Sequence, residues 1–224
     1  MGETQLTQSA HIAPPYTPPA ADRLQIVHAD GDCIVANKPS GLLSVPGLGP
    51  EKAFCAQSIL KDQFGEAHTV HRLDMDTSGL IIFARTKDAQ RHLSHQFQQR
   101  RVAKTYEAIV SGVVAEASGV IDLPIAKYSL QRPLRHIDPD GQFALTRWQV
   151  IARGLTATRL CLIPETGRSH QLRLHLKSIG HPVLGDAFYG DKARSNRLLL
   201  HAKALSFQPP STIDKLTFQA APDF

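Results

Sequence analysis

His71-Arg72-Leu73-Asp74-Met75-Asp76-Thr77-Ser78-Gly79 runs directly into Leu80-Ile81-Ile82-Phe83-Ala84. A short apolar run behind Thr-Ser-Gly reads as a strand covered on both faces, so the polar turn before it is mounted on a rigid element. Rigid elements hold side chains in place. If the turn is extended, Arg72 and Asp74 share one side while Leu73 points the other way and anchors it in the core. Asp74 taken alone reads as an ordinary turn carboxylate, accepting hydrogen bonds from the backbone N–H groups of the Thr-Ser-Gly that follows. A competing arrangement uses the three-residue spacing of His68, His71 and Asp74, which on a helix would put two imidazoles and a carboxylate on one face as a metal site. Gly79 and the β-branched residues argue against a helix here.

Working outward, Lys104-Thr105-Tyr106-Glu107-Ala108-Ile109-Val110 alternates as a strand with Tyr106, Ala108 and Val110 on one face. Taken alone, Tyr106 is a core aromatic with a satisfied hydroxyl. Between these strands Thr86 can cap a helix from Lys87 to about Gln99, with Ala89, Leu93 and Phe97 on one face. Upstream, Leu24–His28 and Cys33–Ala36 flank the tight-turn pair Asp30-Gly31 and form an antiparallel hairpin. The segment Asn37 to Gly47 is punctuated loop, and Phe54 to Phe64 is compatible with a helix ending near Gly65. Downstream, Thr146–Ile151 and Arg159–Ile163 form a hairpin around Gly154, with Trp148 and Val150 on one side. After Pro164-Glu165-Thr166-Gly167-Arg168-Ser169, Ser169 is a good N-cap for a helix with Leu172, Leu176 and Ile179 as its apolar stripe. Arg173 then flanks the core, where most helical arginines are solvated. Leu198–Phe207 and Lys215–Ala220 close the chain as two strands.

The 224 residues are 42% hydrophobic, enough for one large domain or two small ones. A formal net charge of +5 favours polyanionic partners without naming one. Cys33, Cys55 and Cys161 are odd in number and lack Cys-x-x-Cys spacing, so free thiols in a reducing cytoplasm are expected rather than a disulfide framework or zinc site. Nothing resembles an export signal or a membrane span. Residues 1–22 are polar, then rich in proline and alanine, and are expected to be a flexible arm before a domain spanning 23–224.

By itself this reading ends at a basic α+β domain rich in antiparallel hairpins. The set His71-Arg72-Leu73-Asp74-x-x-Thr77-Ser78-Gly79, Lys104-x-Tyr106, Gly167-Arg168-Ser169-His170-Gln171-Leu172-Arg173-x-His175, Gly180-His181-Pro182-x-x-Gly185-Asp186 and Leu200-His201-Ala202 closely resembles the RluA family of RNA pseudouridine synthases. The match runs from about Ile26 to the end of the sequence. Asn37 to Gly47 and Ala221-Pro222-Asp223-Phe224 look like the members with dual specificity for ribosomal and transfer RNA. Ile125 to Gly141, which contains Arg132-Pro133, departs from that pattern, and Gln142-Phe143-Ala144 replaces a more usual Lys-x-Ala.

The resemblance implies an α+β fold with a mixed, mostly antiparallel bent sheet flanked by helices and no S4 domain. It implies that Asp74 is the catalytic carboxylate, Tyr106 the active-site aromatic, Arg173 the ion-pair partner of Asp74, and Arg72 the side chain that enters the RNA stack. Arg101, Lys104 and Arg168 become candidate phosphate contacts, as do Arg91 and Arg100, with His71 and His170 also expected on the RNA. The implied reaction isomerises uridine in a stem-loop of large-subunit ribosomal RNA, the anticodon stem-loop of transfer RNA, or both. It needs no cofactor, and the expected enzyme is a cytoplasmic monomer that uses neither DNA nor a membrane. A metal-dependent nuclease built on His68, His71 and Asp74, or a non-catalytic RNA-binding or ribosome-assembly factor, are the alternatives.

Overall fold

The computed structural model describes residues 15–127 and 134–224. Most of the expected N-terminal arm and the pair Arg132-Pro133 lie outside them. At the described end of the arm the Tyr16 hydroxyl donates to the Phe54 carbonyl and accepts from the Leu43 N–H, both at 3.0 Å.

In chain order the elements are β1 (Gln25–Ala29), β2 (Cys33–Lys38), α1 (Ala56–Phe64), β3 (His68–Thr69), β4 (Ser78–Ala84), α2 (Lys87–Gln98), β5 (Ala103–Ser111), β6 (Ser118–Asp122), β7 (Ile125–Lys127), β8 (Arg135–Ile137), β9 (Leu145–Arg153), β10 (Ala157–Pro164), α3 (Gln171–Ser178), β11 (Leu200–Phe207) and β12 (Leu216–Gln219). The main sheet runs β1-β2-β4-β11-β5-β10-β9-β6, with β3 added beside β4 and β12 beside β11. β7 and β8 form a separate ribbon. Pairing is antiparallel throughout the described residues except between β4 and β11, where His201 lies opposite Ser78 and Ala202 opposite Gly79. Gly79 has φ +111°, and a Cβ there would overlap the Ala202 main chain, so this parallel junction requires glycine.

β4 is buried along its whole length because its two faces serve different cores. Ile81 and Phe83 pack with Ala56 and Leu60 of α1, while Leu80, Ile82 and Ala84 pack with Ala89 and Leu93 of α2. Burying each of the larger side chains contributes about 1.5–3 kcal/mol, which fixes the strand and the turn that feeds it. A further core joins Leu172 and Leu176 of α3 to Ala108, Val110, Leu160 and Leu162. Tyr106 packs at the junction of the α1 and α3 cores. No helix among the described residues is long and apolar enough to cross a membrane.

The α2 reading holds in detail: Thr86 Oγ1 accepts the Ala89 N–H at 3.0 Å, a cap of about 1 kcal/mol. Two expectations for α3 are corrected. Its N-cap is His170, not Ser169, and His170 sits in the left-handed region at φ 58°. No side chain caps the helix; Gln171 Oε1 instead accepts the Arg168 N–H at 3.0 Å and so ties down the loop that leads into it. Nor does Arg173 lie on a solvated flank; it is only 2% exposed.

Candidate active site

The turn ahead of β4 is held by its carbonyl groups. Ser44 Oγ donates to the Leu73 carbonyl at 2.8 Å and accepts the Leu73 N–H at 3.2 Å. The Met75 carbonyl accepts from Lys38 Nζ at 2.9 Å and from the Gly41 N–H at 3.0 Å, and the Asp76 carbonyl from Ser40 Oγ at 2.7 Å. Lys38, fully buried, also donates to the Pro39 and Leu42 carbonyls at 3.0 and 2.7 Å. Burial pushes its ammonium down to about 7, against the pull of Asp76 and Asp74. At the far end Ser78 Oγ accepts from Arg197 Nη2 at 2.7 Å and shares a hydrogen bond of 2.9 Å with His201 Nδ1. With the backbone tied down and Leu73 buried, Arg72 and Asp74 are presented to one side.

The simple turn-carboxylate reading of Asp74 is overturned. It is the main-chain oxygen of Asp74 that takes the Thr77 N–H, at 3.1 Å. The carboxylate instead faces Arg173, whose Nη1 lies 3.4 Å from Oδ2. The other edge of that guanidinium grips Asp186, with Nε to Oδ2 at 2.8 Å and Nη2 to Oδ1 at 2.7 Å. Asp186 is fully buried and also accepts the N–H groups of Phe188 and Tyr189, at 2.8 and 3.0 Å. Burial alone would raise its carboxyl, but the guanidinium and these N–H donors outweigh that and hold it below the ordinary range. Arg173 is opposed by burial as well, and the two carboxylates carry its net shift upward. Phe188 and Tyr189 flank the guanidinium at 5.1 and 5.5 Å.

His170 stands behind Asp74 rather than out on the surface. Its Nε2 is 3.9 Å from Asp74 Oδ2 and its Nδ1 shares a hydrogen bond of 2.9 Å with the Tyr189 hydroxyl. Burial, helped by Arg173 and opposed by Asp74, shifts its titration downward, so the ring meets Asp74 as a neutral dipole. Tyr106 projects from β5 and lines the same cleft and recess as Asp74. Burial and the nearby Asp74 charge both push that phenol above its ordinary value.

Asp74 and Tyr106 line a cleft of about 680 Å³, bounded by the 43–47 loop, the turn with Arg72 and Asp74, Lys104 and the 165–169 loop. A recess of about 90 Å³ adjoins it between Asp74, Tyr106, His170 and Arg173. Of the expected RNA contacts, Arg72 is exposed at the cleft, Lys104 and Arg168 line it, and Arg100 lines it too. Lys104 is depressed by burial. Arg101 and Arg91 do not line the cleft, and Arg91 pairs with Asp88 on the exposed side of α2. His71 lines it, but Nε2 accepts the Ile82 N–H at 3.1 Å and the ring stacks on Phe97 at 4.4 Å. Burial, with Lys104 adding to it, pushes His71 down to about 3, so it acts as a neutral brace of β4.

The metal arrangement on His68, His71 and Asp74 loses its premise: His68 lies in β3 and the following segment is not helical. Ligand-type groups do converge elsewhere, at His28, Asp30 and Cys33. There Asp30 Oδ1 already accepts the Asp32 and Cys33 N–H groups at 2.8 Å each, and burial holds the Cys33 thiol protonated. Sequence reasoning gave no role to Lys38, Ser40, Ser44 or Asp186. Lys38, expected in a loop but found at the end of β2, offered no local signal, and Asp186 acquires its partner only through the fold.

The sequence profile described as RNA pseudouridylate synthase matches residues 32–178. The chain is 48% identical over 214 residues to the dual-specificity RNA pseudouridine synthase RluA of Pasteurella multocida, covering 93% of this chain and 98% of that protein. Identity to the protein of the same name is 45% in Haemophilus influenzae and 42% in Escherichia coli K12, with the same coverage of both chains. Among solved structures, human RNA Pseudouridylate Synthase Domain Containing 1 superposes with a TM-score of 0.79 at 29% identity, covering 93% of this chain and 87% of that one. Human RNA Pseudouridylate Synthase Domain Containing 4 does so with a TM-score of 0.72 at 29% identity, covering 89% of each. An aspartate presented from a tied-down turn beside a buried arginine, a tyrosine in the same basic cleft, the sheet that carries them and these likenesses agree: the chain belongs to the RNA pseudouridylate synthase family.

Proposed function

We propose that this protein isomerises uridine to pseudouridine in a stem-loop of ribosomal RNA and in the anticodon stem-loop of transfer RNA, with Asp74 as its catalytic carboxylate. The observation that carries this is the seating of Asp74 between Arg173 and Tyr106 at the junction of a basic cleft and a small recess. The reaction breaks the N1–C1′ bond, turns the uracil and rejoins it through C5, which loses its proton while N1 gains one. Atoms and electrons balance without a redox partner.

Both routes open to a carboxylate, attack on a carbon or stabilisation of positive charge at the ribose, need it ionised in a site that excludes water. Arg173 favours that form and fixes its direction, and Asp186 fixes Arg173. Tyr106 supplies an apolar face for the extruded uracil. Burial and the charge on Asp74 keep its phenol protonated, which favours stacking and hydrogen-bond donation over a role as base. Extruding the base costs a few kcal/mol, and Arg72, exposed at the cleft, has the flat guanidinium suited to fill the gap. Lys104 and Arg168 take phosphates, so affinity falls with salt.

The named relatives share the dual-specificity description, which supports both RNA classes as substrates here. Free cysteines with RNA substrates fit the cytoplasm. The test is release of tritium from RNA labelled at C5 of uridine, offering ribosomal and transfer RNA separately, with and without a chelator. Release from both that is indifferent to chelator is expected. Strand cleavage that the chelator abolishes would overturn the reading in favour of a nuclease.

A further inference from the structure

Phe143 is out of place as a structural residue. It is 43% exposed and packs into none of the hydrophobic cores among the described residues, although it directly precedes the buried Ala144. Its position is nonetheless held. Arg168 Nε donates to its carbonyl at 3.1 Å, and the Arg100 guanidinium lies 5.4 Å from the ring centroid. Arg100 reaches it from the end of α2 with a left-handed backbone, φ 59°, which is uncommon for a residue with a long side chain. Both arginines line the cleft. The result is a part-exposed aromatic ring held by two arginines that line the cleft, cations suited to phosphates.

Phe188, also 47% exposed and also beside an arginine, differs in that another ring, His170, already stacks on it. An exposed ring beside cations is how single-stranded RNA is gripped: bases stack on the aromatic while guanidinium groups meet the backbone. Resting on the function proposed above, we propose that Phe143, backed by Arg100, is a stacking platform for an unpaired base of the substrate loop other than the uridine being isomerised. It is a specificity-determining contact.

The test uses an anticodon stem-loop RNA carrying 2-aminopurine at one loop position at a time, together with tritium release under single-turnover conditions. Phe143→Ala and Phe143→Leu should each raise the RNA concentration for half-maximal rate about tenfold, the order that base–aromatic stacking supplies, with a smaller effect on the saturating rate. Phe143→Tyr should restore it. Fluorescence at one loop position should be quenched by the unaltered protein and by Phe143→Tyr but not by Phe143→Ala. Full rescue by leucine would show that apolar bulk suffices and overturn the proposal, as would quenching that does not depend on the ring at any position. A drop in thermal midpoint matching the loss of binding in Phe143→Ala would make the ring a structural prop and overturn it too. If the unaltered protein released no tritium, the isomerase reading would fail, and the quenching would still decide the platform.

Discussion

Arg173 gives the paired edge of its guanidinium to Asp186 and leaves only Nη1, at 3.4 Å, for Asp74. The tight ion pair is therefore behind the site, and the looser contact faces the cleft. Asp186 is an anchor for the arginine; Asp74 stays partly exposed, at 28%, and able to meet a substrate.

Removing the anchor should be felt as instability. Asp186→Asn leaves a buried guanidinium with only the looser Asp74 contact as counter-charge, a loss of about 3 kcal/mol, or roughly 10 °C in Tm for a chain of this size. Arg173→Lys keeps the charge but cannot span both carboxylates, so turnover should fall at least about a hundredfold. Thermal melts and single-turnover rates measure the two effects. A lysine variant with native turnover would show that the planar fork is unnecessary.

Arg72 is exposed and has no ion-pair partner among the described residues, so its loss should spare the fold. Arg72→Ala should slow single-turnover reaction at saturating RNA by at least about tenfold while weakening affinity less, because its proposed work is done during base extrusion. Native rates at saturation would remove it from that role.

His71 makes a pH prediction. Its folded titration lies near 3, below the ordinary 6.5, so between those values the unfolded chain binds the extra proton and stability falls as pH falls. His71→Phe keeps a ring against Phe97 but orphans the Ile82 N–H, a cost of about 1–3 kcal/mol near pH 7. The gap between variant and parent in urea unfolding should narrow from pH 6.5 downward. A gap that stays constant with pH would mean that the imidazole is not held neutral.

Much of the scaffold was legible because local signals and tertiary packing agree. The Leu80–Ala84 run, the Thr86 cap with its Ala89-Leu93-Phe97 stripe, and the Asp30-Gly31 hairpin each carry their own cue. The start of α3 was not legible, since a left-handed His170 without a side-chain cap stands where a serine cap was favoured by composition. β3, β7 and β8 are too short to show a period, and the parallel contact between β4 and β11 joins residues over a hundred positions apart, His201 and Ser78. In the site, the local pattern marked Asp74 only as one carboxylate in a polar turn, and it was the family resemblance that assigned its role and named Arg173 as its partner. Its pairing with Arg173, the Asp186 anchor and the Lys38 tie to the Met75 carbonyl are all long-range, and no spacing rule along the chain encodes them.

The most direct test of the account is tritium release from C5-labelled RNA by Asp74→Asn beside the unaltered protein, with RNA binding measured on both. A change of one oxygen to nitrogen keeps the shape and removes the charge. The account predicts a loss of at least about a thousandfold in release with binding largely retained. Appreciable release by a clean preparation of the variant would contradict it and remove Asp74 from the centre of the mechanism.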